Sequence, residues 1–127
     1  MDAKTKPRTK LDDYKAIEAV VEKYIEGGRK GDSSIMKPVF HENAQMSGHG
    51  EDGAFSGPVQ LLFDYVDGDA PASELEMRIA NITISDETAA SVVLNADHWL
   101  GVNYTDHFHL LKIGGEWKII SKIFSHN

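Results

Sequence analysis

The chain contains no cysteine, which removes a disulfide framework, a thiolate nucleophile and any cysteine-ligated zinc or iron–sulfur centre from consideration. Long apolar runs are also missing. No stretch approaches the roughly 20 residues of a transmembrane helix, and the opening "MDAKTKPRTKLDDY" is charged and lacks the apolar segment of a signal peptide. Basic residues are the minority: thirteen Lys and Arg against twenty Asp and Glu give a net charge of −7, which repels nucleic-acid phosphates and anionic lipid. These absences argue against nucleic acid and membrane as partners and suit a cytoplasmic chain. No nucleotide, flavin or phosphate-binding motif occurs, so no cofactor is expected.

What is present, 127 residues with 41% hydrophobic content, suits a single domain over 1–127 that buries roughly two-thirds of its unfolded surface. About ten polar residues, 1–10, are expected to be disordered. Tyr14, Ile17, Val21, Tyr24 and Ile25 then fall on one helical stripe, with Thr9 or Asp12 as a cap and the glycines of "GGRKGD" as the stop. A short second helix carries Ile35, Met36, Val39 and Phe40 and is limited by Pro38. "HENAQMSGHG" reads as a short strand and a glycine-rich loop. Gly57 and Pro58 open a third helix through Leu61, Leu62, Tyr65 and Val66. Strands follow at about 75–85, 88–100, 104–113 and 116–126.

The fold class is therefore α+β, with three N-terminal helices packed on a mostly antiparallel sheet. Strands of this length exceed the usual five or six residues. Their accumulated twist must curve the sheet around the helices into a half-open cone, with a cavity where the two layers part.

The order of these elements, with "KGD", "VFHENA" and "YTDHFHLLKIGGEWKIISKIF" at their places, resembles the nuclear transport factor 2-like superfamily from Tyr14 to Phe124. Within it the chain is similar to the lumazine-binding branch, a relative of the polyketide cyclase-like proteins. The glycine pair at Gly114 and the aspartate eight residues before it, Asp106, carry the closest match. The resemblance implies a cystatin-like cone, a pocket at its open end and frequent homodimerisation through the sheet. Isomerases, dehydratases, cyclases and proteins without known activity share that fold, so the residues reaching the pocket decide its use.

A two-residue turn at Gly114-Gly115 pairs Ile113 with Glu116 and, by strict alternation, places Asp106, Phe108, Leu110, Trp117, Ile119, Ser121 and Ile123 on the interior face. His107, His109, Lys118, Lys122 and Phe124 fall outside. Alternation in the preceding strand puts Ala96 and His98 inside and Asp97 and Trp99 outside. A three-residue loop at 101–103 then sets His98 opposite Asp106. A histidine beside a carboxylate can exchange a proton at neutral pH, so His98 and Asp106 are the candidate catalytic pair. The same two residues would serve equally as a structural polar pair.

Tyr24, Met46, His49, Tyr65, Phe108 and Ser121 are the candidate ligand contacts. Tyr24 and Tyr65 offer hydroxyls, and His49 rides on a glycine-flanked loop at the rim. His41 is assigned to a helix C-terminus. His107 and His109 share the outer face with Asp97, but Lys122 beside them opposes a cation, and no metal is expected. Trp99, Val93, Ile120 and Phe124 form an outer apolar set suited to a homodimer. Two readings follow. One is a domain that binds a small apolar or aromatic ligand and, if catalytic, transfers a proton through His98 and Asp106, as isomerases, dehydratases and cyclases do. The other is a non-catalytic dimerisation or interaction module.

Overall fold

The computed structural model describes residues 9–127. Helix α1 (Lys10–Lys30) starts at Thr9, whose side chain accepts from the Asp12 backbone N–H while the Asp12 carboxylate accepts from the Thr9 N–H. This reciprocal capping box satisfies two N-terminal donors. Lys10 is therefore helical where a disordered arm was expected, and the rest of that arm, 1–8, lies outside the described residues. Ile17, Val21, Tyr24 and Ile25 are buried on the predicted stripe, and α1 stops at Gly31, which takes φ 63°.

Helix α2 (Ser33–Met36) passes into a 3-10 turn at Lys37–Val39 that contains Pro38. Phe40 opens strand β1 (Phe40–Gly50) instead of ending a helix. The expected glycine-rich loop is a hairpin, because β1 pairs antiparallel with β2 (Gly53–Pro58). Pro58 closes that strand opposite Gln45, so helix α3 (Gln60–Gly68) begins two residues later than its proline suggested. Strands β3 (Glu76–Ser85), β4 (Ala89–Trp99), β5 (Val102–Ile113) and β6 (Glu116–His126) follow. No described helix is long and apolar enough to cross a membrane.

The six strands form one sheet in the order β2-β1-β6-β5-β4-β3. Only β1 and β6 pair in parallel, which the crossover through β2, α3 and the meander permits. Gly114 (φ 58°) and Gly115 (φ 81°) make the expected two-residue turn, a geometry that matches the twist of the flanking strands.

One face of the sheet packs on α1 through Val92, Leu94, Phe108, Leu110 and Ile119, all at most 1% exposed. At the closed end, Trp117 Nε1 donates to Asp13 Oδ1 at 3.0 Å, and Lys112 Nζ stands 3.0 Å from the same oxygen. Asp13 is itself buried, so these two partners compensate a charge removed from water.

Candidate functional site

The open end of the cone is shaped by two extra residues in the meander. In β6, Leu110 pairs with Ile119 but His109 pairs with Ser121, which leaves Ile120 as a bulge. An inserted residue reverses the alternation beyond it. Lys122 and Phe124 consequently turn inward, opposite Phe108 and Asp106, and Ser121 and Ile123 turn outward. The expected ligand contact at Ser121 is therefore not made from inside the cone.

The second bulge is in β4. Ala96 pairs with Tyr104 and Trp99 with Val102, so Asp97 and His98 together oppose Asn103. The turn holds two residues, Leu100 (φ 50°) and Gly101 (φ 87°), not three. His98 takes φ 63°, is exposed, and donates its backbone N–H to Asn103 Oδ1 at 3.0 Å. Asp106 faces Leu94 across the ladder. The expected pairing of His98 with Asp106 is thus corrected: the bulge carries the imidazole out and brings Trp99, 4% exposed, in.

Between helices and sheet lies a cavity of about 190 Å³. Tyr24 of α1 and Leu62 and Tyr65 of α3 line it from the helices. Met46 of β1, Phe55 of β2, Trp99 of β4, Tyr104 and Asp106 of β5, and Lys122 and Phe124 of β6 line it from the sheet. Tyr24, Met46, Tyr65 and Asp106 were named from sequence and stand in this wall. Phe108 lies a layer deeper, fully buried, with its ring 5.1 Å from that of Tyr24 in an edge-on contact. His49 is exposed on the β1–β2 hairpin opposite Ala54, away from the lining.

Other sequence expectations change with the register. His41 lies in β1, its Nδ1 accepting from the Asn43 N–H at 3.0 Å, and caps no helix. His107 faces Val93 and Ile123, so Asp97, His107 and His109 do not assemble a ligand set. Among the described residues no group of His, Asp and Glu is placed to hold a metal ion. With Trp99 and Phe124 inside, the outer apolar set passes to Val93 and Ile120 together with exposed Leu111, Ile113 and Ile123.

The polar centre of the cavity is Asp106, 1% exposed. Tyr24 donates its hydroxyl to Oδ2 at 2.8 Å, and Lys122 Nζ stands 3.5 Å from Oδ1. Lys122 is 4% exposed. Its ammonium lies 4.7 Å from the Phe124 ring centroid, 5.8 Å from that of Tyr24, and 4.0 Å from Met46 Sδ. Ring faces attract such a cation.

Burial, reinforced by the charge of Asp106, holds the Tyr24 phenol well above its ordinary pKa, so it stays protonated and donates. Tyr104 is pushed up to about 12, first by burial and then by the adjacent Tyr65. Tyr65 is raised by burial and by the charge of Asp69. The lining combines phenol donors with the side chains of Asp106 and Lys122 and an aromatic wall.

Lys122, Trp99, Tyr104, Phe124 and Leu62 were not among the candidates from sequence. One signal was available: "KIISKIF" places apolar residues side by side at Ile119-Ile120 and again at Ile123-Phe124. A strictly alternating strand with one wet face cannot use both members of such pairs.

Residues 12–125 match the model of the family described as "putative lumazine-binding". Aldolase FrzH from Cladobotryum sp is 32% identical over 116 residues, covering 88% of this chain and 90% of that one. An NTF2-like protein of unknown function from Shewanella baltica OS155 is 41% identical, with a TM-score of 0.90 over 95% of this chain and 98% of that one. A ketosteroid isomerase-like protein from Erwinia carotovora atroseptica, 16% identical with a TM-score of 0.70 over 91% of this chain and 96% of that one, shares the fold. Every residue lining the cavity falls inside the matched region, and the chain belongs to the lumazine-binding family of NTF2-like, cystatin-fold proteins.

Proposed function

We propose that the chain binds a compact aromatic or apolar carbonyl compound in this cavity and transfers a proton at the carbon beside the carbonyl. Asp106 takes the proton and returns it. One observation carries the reading: a carboxylate 1% exposed forms part of an otherwise mostly apolar wall, fixed on one oxygen by Tyr24 and flanked on the other by Lys122. A carboxylate fixed in a dry site is a competent general base when the proton it removes is held beside it. The positive charge of Lys122 draws electrons from a carbonyl placed against it and so acidifies the adjacent C–H.

Aldolase FrzH supports the choice of chemistry, since aldol addition begins with the removal of such a proton. Isomerisation, dehydration and cyclisation of carbonyl compounds begin the same way. Cavities of about 150 Å³ hold benzene, so 190 Å³ suits one substituted ring or a small two-ring heterocycle of the kind named by the family.

Phenylacetone in deuterium oxide is a direct probe, with solvent exchange at its α-carbon followed by NMR. The wild type is expected to accelerate exchange, Asp106→Asn to remove the acceleration, and His98→Ala, on the exposed bulge, to retain it. Exchange that survives Asp106→Asn would refute the assignment of the base. A homodimer through the outer sheet face, resting on Leu111, Ile113 and Ile123, completes the proposal. Sedimentation at 14.0 kDa instead of twice that mass removes the dimer alone.

A further inference from the structure

We infer that Lys122 is a nucleophile that captures the carbonyl carbon of the ligand covalently, as an iminium ion. The inference rests on the reading of the cavity as a carbonyl site, and it identifies how positive charge reaches the carbonyl.

Four observations point to it. First, the ammonium does not extend to water, as a lysine with a flexible stem ordinarily does; it is 4% exposed and forms part of the cavity wall. Second, a buried ion pair gives little net stability over apolar residues of similar size, so stability alone does not account for Lys122 and Asp106 at the centre of this wall. Third, the described surroundings of Nζ are poor in oxygen: one carboxylate oxygen at 3.5 Å, a thioether at 4.0 Å and two ring faces. The amine is held in place by aromatic surfaces, and a desolvated lysine in an apolar pocket is the setting in which lysines form Schiff bases. Fourth, a proton acceptor stands beside it, and Tyr24 fixes that acceptor through its other oxygen.

The step balances within these residues. Lys122 passes one ammonium proton to Asp106, and the freed lone pair on Nζ attacks the carbonyl carbon. The C–N bond forms as the C–O π bond opens, and a proton moves from nitrogen to the oxygen to give a neutral carbinolamine. Asp106 then returns its proton to the hydroxyl, the C–O bond breaks, and water leaves with that oxygen. The product is a protonated C=N bond on Lys122, and Asp106 is again a carboxylate. One carbonyl and one ammonium have become one iminium and one water, with charge conserved. The carbon bearing the acidified protons now lies two bonds from Nζ, beside Asp106. Proton removal there yields an enamine, the nucleophile that a carbon–carbon bond-forming reaction requires.

The test uses the wild-type chain, so it does not depend on a variant folding. Phenylacetone carrying ¹⁸O is incubated with the protein, and parallel samples receive sodium cyanoborohydride, which reduces an iminium to a stable amine. The expected result is loss of ¹⁸O to solvent in step with α-deuterium exchange, and a reduced adduct that peptide mapping places on Lys122. Lys122→Arg, with its fold checked by circular dichroism, is expected to lose both signals. If α-exchange proceeds while ¹⁸O is retained and no Lys122 adduct forms, the covalent step is overturned and the proton-transfer reading survives. If adducts spread evenly over the exposed lysines, it is likewise overturned. If neither exchange nor adduct occurs, both readings fall together.

Discussion

Replacing Tyr24 by phenylalanine removes one oxygen atom and leaves the ring contacts with Phe40, Trp99 and Phe108 in place. The lost hydrogen bond has a carboxylate acceptor, and bonds of that kind contribute about 1.5–3 kcal/mol. Asp106 is buried and keeps the Lys122 contact on its other oxygen, so a loss of about 2–3 kcal/mol is expected at neutral pH. At alkaline pH the difference shrinks. In the folded chain, burial and the charge of Asp106 hold the Tyr24 proton well above its ordinary range, whereas the unfolded chain releases it near pH 10. Below that pH both states keep the proton and the wild type has its whole advantage. As pH rises toward the folded value, only the unfolded state ionises, and the wild type loses about 1.4 kcal/mol per pH unit. Tyr24→Phe has no such proton, so the gap should close within about two units above pH 10. Urea titrations followed by tryptophan fluorescence from neutral to alkaline pH measure both limbs, and the other tyrosines cancel in the difference. A gap that stays constant with pH would refute the claim that Asp106 and burial hold this proton.

Trp117→Phe should cost about 1.5–3 kcal/mol by removing the N–H that serves buried Asp13, and Trp117→Ala about 3–5 kcal/mol by emptying the site. Urea midpoints check both, and a Trp117→Phe variant as stable as the wild type would mean that the indole nitrogen contributes nothing. A Cβ at Gly48 would lie 2.6 Å from the Phe124 ring, so Gly48→Ala should displace that ring from Lys122 and weaken phenylacetone binding, for about 1–3 kcal/mol of stability. Unchanged binding in a saturation titration would show that Phe124 does not form part of the working wall.

Much of the fold was legible because its signals are local. The α1 stripe, its cap at Thr9 and the Gly114-Gly115 turn each depend on residues a few positions apart, and the β5–β6 register holds from Ile113 back to Leu110. Tyr24, Met46, Tyr65 and Asp106 reach the cavity on segments that keep their expected faces. Trp99, Lys122 and Phe124 were hidden by the bulges at His98 and Ile120. Period-two alternation has no means of registering an inserted residue, and every side chain beyond it is assigned to the opposite face. That one cause exchanged His98 for Trp99, Ser121 for Lys122 and Ile123 for Phe124.

The last of these exchanges gives a test of the bulge itself. Strict alternation puts Ile123 in the core and Phe124 in water; the bulge at Ile120 reverses them. Ile123 is 45% exposed, so Ile123→Lys should lie within about 0.5 kcal/mol of wild type, the usual range for surface changes, at concentrations low enough to leave the chain monomeric. Phe124 packs on Phe55 at 5.7 Å and Tyr104 at 6.0 Å, and lies 4.7 Å from the Lys122 ammonium. Phe124→Lys therefore strips two aromatic contacts and sets a second cation against the first, at a cost of about 2 kcal/mol or more. Urea midpoints of the two variants decide the order. If Ile123→Lys proves the more damaging, β6 runs without the bulge, Lys122 faces outward, and the cavity loses the ammonium on which the covalent chemistry depends.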